Sequence, residues 1–155
     1  SRRKSLSSRL FAAYGFGLNR AEMAKHCPTA KLIGSAELKN YRLSFRGNKA
    51  SAVATIEKAK SGSVPALLWE ISPQDELALD RWVGVPELYR KAAIKVRRDD
   101  ALVDALIYIL ISGKPQNKPS AFYYSTLLEG YRAAGFDADI LKTAVQDGDQ
   151  DASRA

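Results

Sequence analysis

Only one cysteine, Cys27, and one histidine, His26, occur in the 155 residues. No internal disulfide can form, and a cysteine-rich zinc site is excluded. A Ser-His-Asp triad would have to be built on His26, and no partner for a catalytic pair stands out. His26 and Cys27 are therefore read as packing or surface residues that end a helix before Pro28. Long apolar runs are missing too. The longest, Ala105 to Ile111, is strand-sized, far short of the ~18–20 residues of a membrane helix. No signal-peptide core follows the basic N-terminus, so a cytoplasmic setting and no membrane partner are expected.

What is present is ordinary globular composition, 46% apolar and 26% charged. It excludes a wholly disordered chain, a collagen-like repeat and a coiled coil. The length suits one domain, expected over residues 10–145, with residues 1–9 and 146–155 as flexible tails. The net charge of +7 raises the expectation of an anionic partner. Part of that charge is Arg2, Arg3, Lys4 and Arg9 in the N-terminal arm. Charge without a groove reader or a base platform does not make a nucleic-acid binder, and none is expected.

Along the chain, Leu10 to Tyr14 reads as a short strand. A turn follows at Tyr14-Gly15-Phe16-Gly17-Leu18, and Asn19 can cap a helix over Arg20 to His26. Leu32-Ile33, Tyr41 to Phe45, Ala52 to Ile56 and Val64 to Ile71 read as separate extended stretches, with Lys58 to Gly62 as a polar loop. Ser72-Pro73-Gln74-Asp75 starts a helix expected to reach about Trp82. From Leu88 to Arg98, apolar residues alternate with Lys91, Lys95 and Arg97, the pattern of a strand with a solvated outer face. Leu102 to Ile111 is a central strand, and Gly113 to Pro119 a loop. Tyr123, Leu127, Tyr131 and Ala134 share a helical face, and Asp137 can cap a last helix ending about Val145. About six strands with hairpin-length links and three or four helices make an α+β fold, a mixed and largely antiparallel sheet that could curl into a barrel.

Four pieces in order resemble the gamma-glutamylcyclotransferase-like (AIG2-like) family. They are Ala13 to Asn19; His26-Cys27-Pro28-Thr29-Ala30 with Gly34 and Tyr41 to Phe45; Val64 to Ser72 leading into Leu79-Asp80-Arg81-Trp82-Val83-Gly84-Val85-Pro86 and Tyr89; and Pro119 to Tyr123 with Glu129-Gly130-Tyr131. The resemblance implies a small mixed β-barrel flanked by helices, with a pocket at one end. It also implies an opening turn whose N–H groups cradle substrate, and a glutamate that takes a proton from the substrate α-amine. The amine then attacks the γ-glutamyl carbonyl and releases 5-oxoproline, with no metal and no cofactor.

The resemblance places Val83 at the glutamate, and Phe16 and Gly17 at the serine and asparagine of the family's turn. Valine accepts no proton, and a positioned base contributes about 10²–10⁴ in rate. The sequence thus reads as a catalytically impaired relative that binds a small anionic ligand, a metabolite or a signalling nucleotide, to sense or sequester it. The expected ligand contacts are Tyr14, Gly15, Phe16, Gly17, Leu18, Arg20, Val83, Tyr89 and Tyr123. Two alternatives stand beside this reading. One is an active cyclotransferase whose base is relocated to Glu70, Glu87 or Glu129; the other is a protein-interaction module on a dead scaffold. A carboxylate turned toward the Gly15–Leu18 turn would favour the enzyme. A pocket plugged by Phe16 would favour the module, and an open pocket lined by cations and N–H groups the binder.

Overall fold

The computed structural model describes residues 8–111 and 113–154, the last six of these by backbone alone. Five strands close into a barrel: β1 (Arg9–Ala13), β2 (Lys31–Arg46), β3 (Val53–Ile71), β4 (Tyr89–Arg98) and β5 (Ala101–Leu110). Their order around the barrel is β1-β3-β2-β4-β5. Neighbours pair antiparallel except at the seam, where β1 meets β5 in parallel with Phe11 opposite Leu106. Closure removes the free edges that an open sheet would present to other chains. Four helices flank it: α1 (Arg20–His26), α2 (Pro73–Val83), α3 (Ala121–Ala134) and α4 (Asp139–Arg154).

Seven extended stretches, read as about six strands, become five because β2 joins Leu32-Ile33 with Tyr41 to Phe45, and β3 joins the stretch read at Ala52 to Ile56 with Val64 to Ile71. Residues Lys58 to Gly62, expected as a loop, fall within the span of β3, with Lys58 opposite Tyr41. Ala59 to Gly62 have no register partner on β2: they bulge at a register shift between Lys39 and Tyr41, where Asn40 and Ser61 both take positive φ. Lys58 and Lys60 are exposed there. In β4 the alternation is as read: Lys91, Lys95 and Arg97 face solvent. Lys91 pairs with Glu76 and Asp80 on α2, which ties that helix to the barrel.

Helix starts follow their caps. Asn19 Oδ1 accepts from the N–H groups of Ala21 and Glu22. Ser72 and Asp75 form a reciprocal capping box, and Gly84 ends α2 in the left-handed region. The last helix differs from expectation, running to Arg154 rather than to about Val145. Gly148 is the reason: it is buried, and a Cβ there would sit 2.8 Å from the Asn117 carbonyl oxygen. Close packing on the 113–119 loop therefore holds a segment whose composition reads as a tail.

The interior is built by alternate inward residues such as Leu38, Phe45, Leu68, Val96 and Leu106, all nearly fully buried. Each such side chain contributes about 1.5–3 kcal/mol by leaving water. Tyr131 on α3 is fully buried, and among the described residues its hydroxyl is the single buried side-chain polar atom without a hydrogen-bond partner. Tyr131→Phe is therefore expected to raise stability by about 1 kcal/mol, because an unsatisfied buried group carries its desolvation cost with no return. Urea unfolding measures this, and a clear loss of stability in the variant would contradict it.

Candidate functional site

The strand β1 delivers the chain into a single 3-10 turn over Phe16–Leu18. The first internal bond of that turn runs from the Leu18 N–H to the Gly15 carbonyl, 2.9 Å, so the N–H groups of Phe16 and Gly17 precede it. Three contacts fix the turn from different elements. The Trp69 indole N–H donates to the Gly17 carbonyl at 3.0 Å. The Asn19 amide donates to the Thr126 carbonyl at 3.1 Å and to the Glu129 carboxylate at 2.6 Å on α3. Gly130 lets α3 press directly on the backbone of Leu18, since a Cβ there would lie 2.8 Å from it.

Above this turn lies a cavity of about 320 Å³. Tyr14, Gly15, Phe16 and Gly17 form its floor, and Leu79, Trp82 and Val83 of α2 form one wall. The beginnings of β3 and β4 add Ala54 and Tyr89, β5 adds Tyr108 and α3 adds Tyr123. Half-buried Phe16, Trp82, Val83 and Tyr123 lie nearest to solvent. No lining residue is charged.

The tyrosine hydroxyls of the wall are engaged by the protein. The Tyr14 hydroxyl donates to the Tyr108 carbonyl, and the Tyr89 hydroxyl to the Ala54 carbonyl. The Ala54 N–H donates to the Tyr123 oxygen at 3.0 Å. The Tyr108 hydroxyl donates to Asp80 at 2.7 Å, and Asp80 is also held by Lys91 at 2.9 Å. Burial pushes all four phenols up, Tyr123 to about 12, with the Asp80 hydrogen bond adding to burial at Tyr108. The wall is therefore neutral through the physiological range.

An aromatic stack runs along the mouth. Phe16 lies on Tyr123 with ring centroids 4.6 Å apart and leans on Trp82 at 5.8 Å. Trp82 in turn carries His26 face to face at 3.8 Å. Phe16 thus sits to one side of the cavity. His26 offers Nδ1 to the Glu22 carbonyl at 2.9 Å, and burial pushes the Cys27 thiol up to about 11, which suits packing rather than nucleophilic attack.

Of the residues expected to meet a ligand, Tyr14, Gly15, Phe16, Gly17, Val83, Tyr89 and Tyr123 line the cavity. Leu18 does not; it is fully buried beneath the turn against Gly130. Arg20 is corrected as well: it opens α1 on the exposed surface, outside the cavity. Gly17 has a second role, since a Cβ there would lie 2.7 Å from the Ala13 Cβ and 3.2 Å from the Phe11 ring. Its missing side chain serves packing on β1, so a bulky replacement would disturb the barrel before it tested any ligand contact. Trp82 and Tyr108, not among the expected ligand contacts, also line the cavity. In sequence a cavity wall and a core are both runs of apolar residues, and no signal separates them.

None of the three candidate replacement bases lines the cavity. Glu87 is exposed, Glu129 is held by Asn19, and Glu70 lies on β3 opposite Leu10 and Lys31. Asp80, which sequence reasoning did not single out as a candidate base, reaches the wall only through the Tyr108 hydroxyl. Among the described residues no group of three His, Cys, Asp or Glu side chains could hold a metal ion, and no helix is long and apolar enough to cross a membrane.

Solved structures share this barrel at low identity. An uncharacterized human protein is 20% identical with a TM-score of 0.78, over 89% of this chain and 86% of that one. A structure described as a gamma-glutamyl cyclotransferase is 20% identical with a TM-score of 0.79, over 88% and 86%. A mouse AIG2-like protein is 19% identical with a TM-score of 0.57, over 70% and 80%. These likenesses establish the fold. No curated protein matches the chain. The model of the AIG2-like family matches residues 63–143, just over half of the sequence, running from the second half of β3 through α2 and Tyr123 into α4. The chain therefore belongs to the AIG2-like family.

Proposed function

We propose that this is a gamma-glutamylcyclotransferase-like protein that holds a small molecule in the cavity, to sense or sequester it, without cyclising it. One observation carries the reading: no residue lining the cavity bears a carboxylate. Cyclisation needs a base within about 2.6–3.2 Å of the substrate amine. The resemblance assigns that place to Val83, which lines the cavity and cannot take a proton. A γ-glutamyl substrate also brings an α-ammonium group. With no carboxylate in the wall, its positive charge has no counter-charge there, and burying it is strongly unfavourable.

The cavity's open volume beside Phe16 supports a binder over an interaction module, because Phe16 leans on Tyr123 and Trp82 instead of filling the space. The anionic ligand expected from net charge finds no cation here: Arg20 and Arg81 are exposed and absent from the wall, and Lys91 is paired with Glu76 and Asp80. The test is direct. Incubated with γ-glutamylalanine, the purified chain is expected to release no 5-oxoproline. Turnover at an ordinary enzymatic rate, roughly 1–10³ per second, would overturn the proposal.

A further inference from the structure

We infer, building on the reading of the cavity as a non-catalytic ligand site, that its ligand is an uncharged molecule with a planar aromatic body, and that amino acids and anions are selected against. Half of the fourteen lining residues carry rings, and the rest are aliphatic or glycine. Ring against ring is the contact such a wall makes best, edge-to-face or offset. The volume, about 320 Å³, stands at the low end of small-molecule sites, which span about 300–1,000 Å³, and suits one or two fused rings.

Charge meets no counter-charge in this wall. Tyr14, Tyr89 and Tyr108 have already given their protons to protein acceptors, which leaves the Phe16 and Gly17 N–H groups and the Tyr123 hydroxyl as donors, with no lysine or arginine beside them. The carbonyls of Gly17, Ala54 and Tyr108 already accept from Trp69, Tyr89 and Tyr14, which leaves an ammonium poorly served. A single ligand hydroxyl can still donate to a phenol oxygen, which has a lone pair to spare. An ion entering this wall would lose its hydration and find no counter-charge in return. The basic net charge of the chain is not represented in the wall, since no lysine or arginine lines the cavity.

The experiment is a calorimetric titration of the full chain with four probes: 2-naphthol, 2-naphthoate, 2-naphthylmethylammonium and γ-glutamylalanine. The neutral 2-naphthol is expected to bind at least about tenfold more tightly than each charged probe. Its affinity is expected to be the same at low and high salt and flat across neutral pH. Val83→Phe, which narrows the mouth from a half-buried position, is expected to weaken 2-naphthol binding at least about tenfold with thermal unfolding unchanged. Tighter, salt-dependent binding of 2-naphthoate would overturn the inference in favour of an anion site. Tighter binding of γ-glutamylalanine would overturn it in favour of an amino-acid pocket. No 2-naphthol binding, or binding unaffected by Val83→Phe, would also overturn it. Assay of 5-oxoproline in the same sample separates the two claims. Its release defeats the non-catalytic reading, whereas its absence alongside a preference for 2-naphthoate defeats this inference alone.

Discussion

Val83→Glu is expected to give the chain measurable release of 5-oxoproline from γ-glutamylalanine, about 10²-fold or more above the parent. The substitution supplies two things the cavity lacks. One is a negative charge to pair with the substrate ammonium, and the other is a base that can take its proton. Recovery should be partial, because the resemblance also puts Phe16 and Gly17 where the family's turn has polar side chains. The new acid would stand among Phe16, Trp82 and Leu88 with no cation in the wall. Burial should therefore raise its folded pKa above the unfolded value of about 4.3. For an acid raised in the folded state, the variant's stability relative to the parent is greatest below that value and falls as pH rises through the folded pKa. Thermal unfolding against pH, beside the 5-oxoproline assay, reads both effects. A variant with neither activity nor this pH dependence would place Val83 outside the ligand site.

Gly130→Val is expected to cost about 1–3 kcal/mol of stability, and to abolish ligand binding under conditions where the chain remains folded. A Cβ at this position would lie 2.8 Å from the carbonyl carbon and oxygen of Leu18, closer than packed atoms approach. Neither neighbour can yield cheaply. Leu18 is fully buried, and its turn is held by Trp69 on one side and Asn19 on the other. The helix must therefore move outward, carrying Tyr123 away from Phe16 and from the Ala54 N–H. At this chain length each kcal/mol lowers the melting temperature by roughly 2–4 °C, so the shift is easily read. A variant as stable as the parent, with binding intact, would mean that α3 does not position the turn.

Local chemistry made much of this molecule legible. Asn19, Ser72 with Asp75, and Gly84 announce helix ends because capping is satisfied within a few residues. The alternation in β4 shows which face is wet because strand geometry has a period of two. What was not legible depends on partners distant in sequence. Lys58 to Gly62 read as a loop that ends a strand, because the sequence does not show that β2 pairs on both sides of the bulge and makes one long strand of β3. Gly148 read as tail because nothing near it in sequence reveals Asn117 as its packing partner. Arg20 follows the turn along the chain, but adjacency in sequence does not show which side of a short helix meets the cavity, and Arg20 is exposed and does not line it. Tyr108 shows the same limit: a central strand announces burial without showing that a cavity interrupts the core there.

Native mass spectrometry of the chain isolated from the cells that make it tests the central claim most directly. A site that holds a ligand without transforming it should carry that ligand through purification. The expected result is a mass exceeding the 17.0 kDa chain by one small molecule, lost on denaturation and absent from Val83→Phe. A parent chain that flies at its bare mass and converts γ-glutamylalanine to 5-oxoproline at roughly 1–10³ per second would contradict the account.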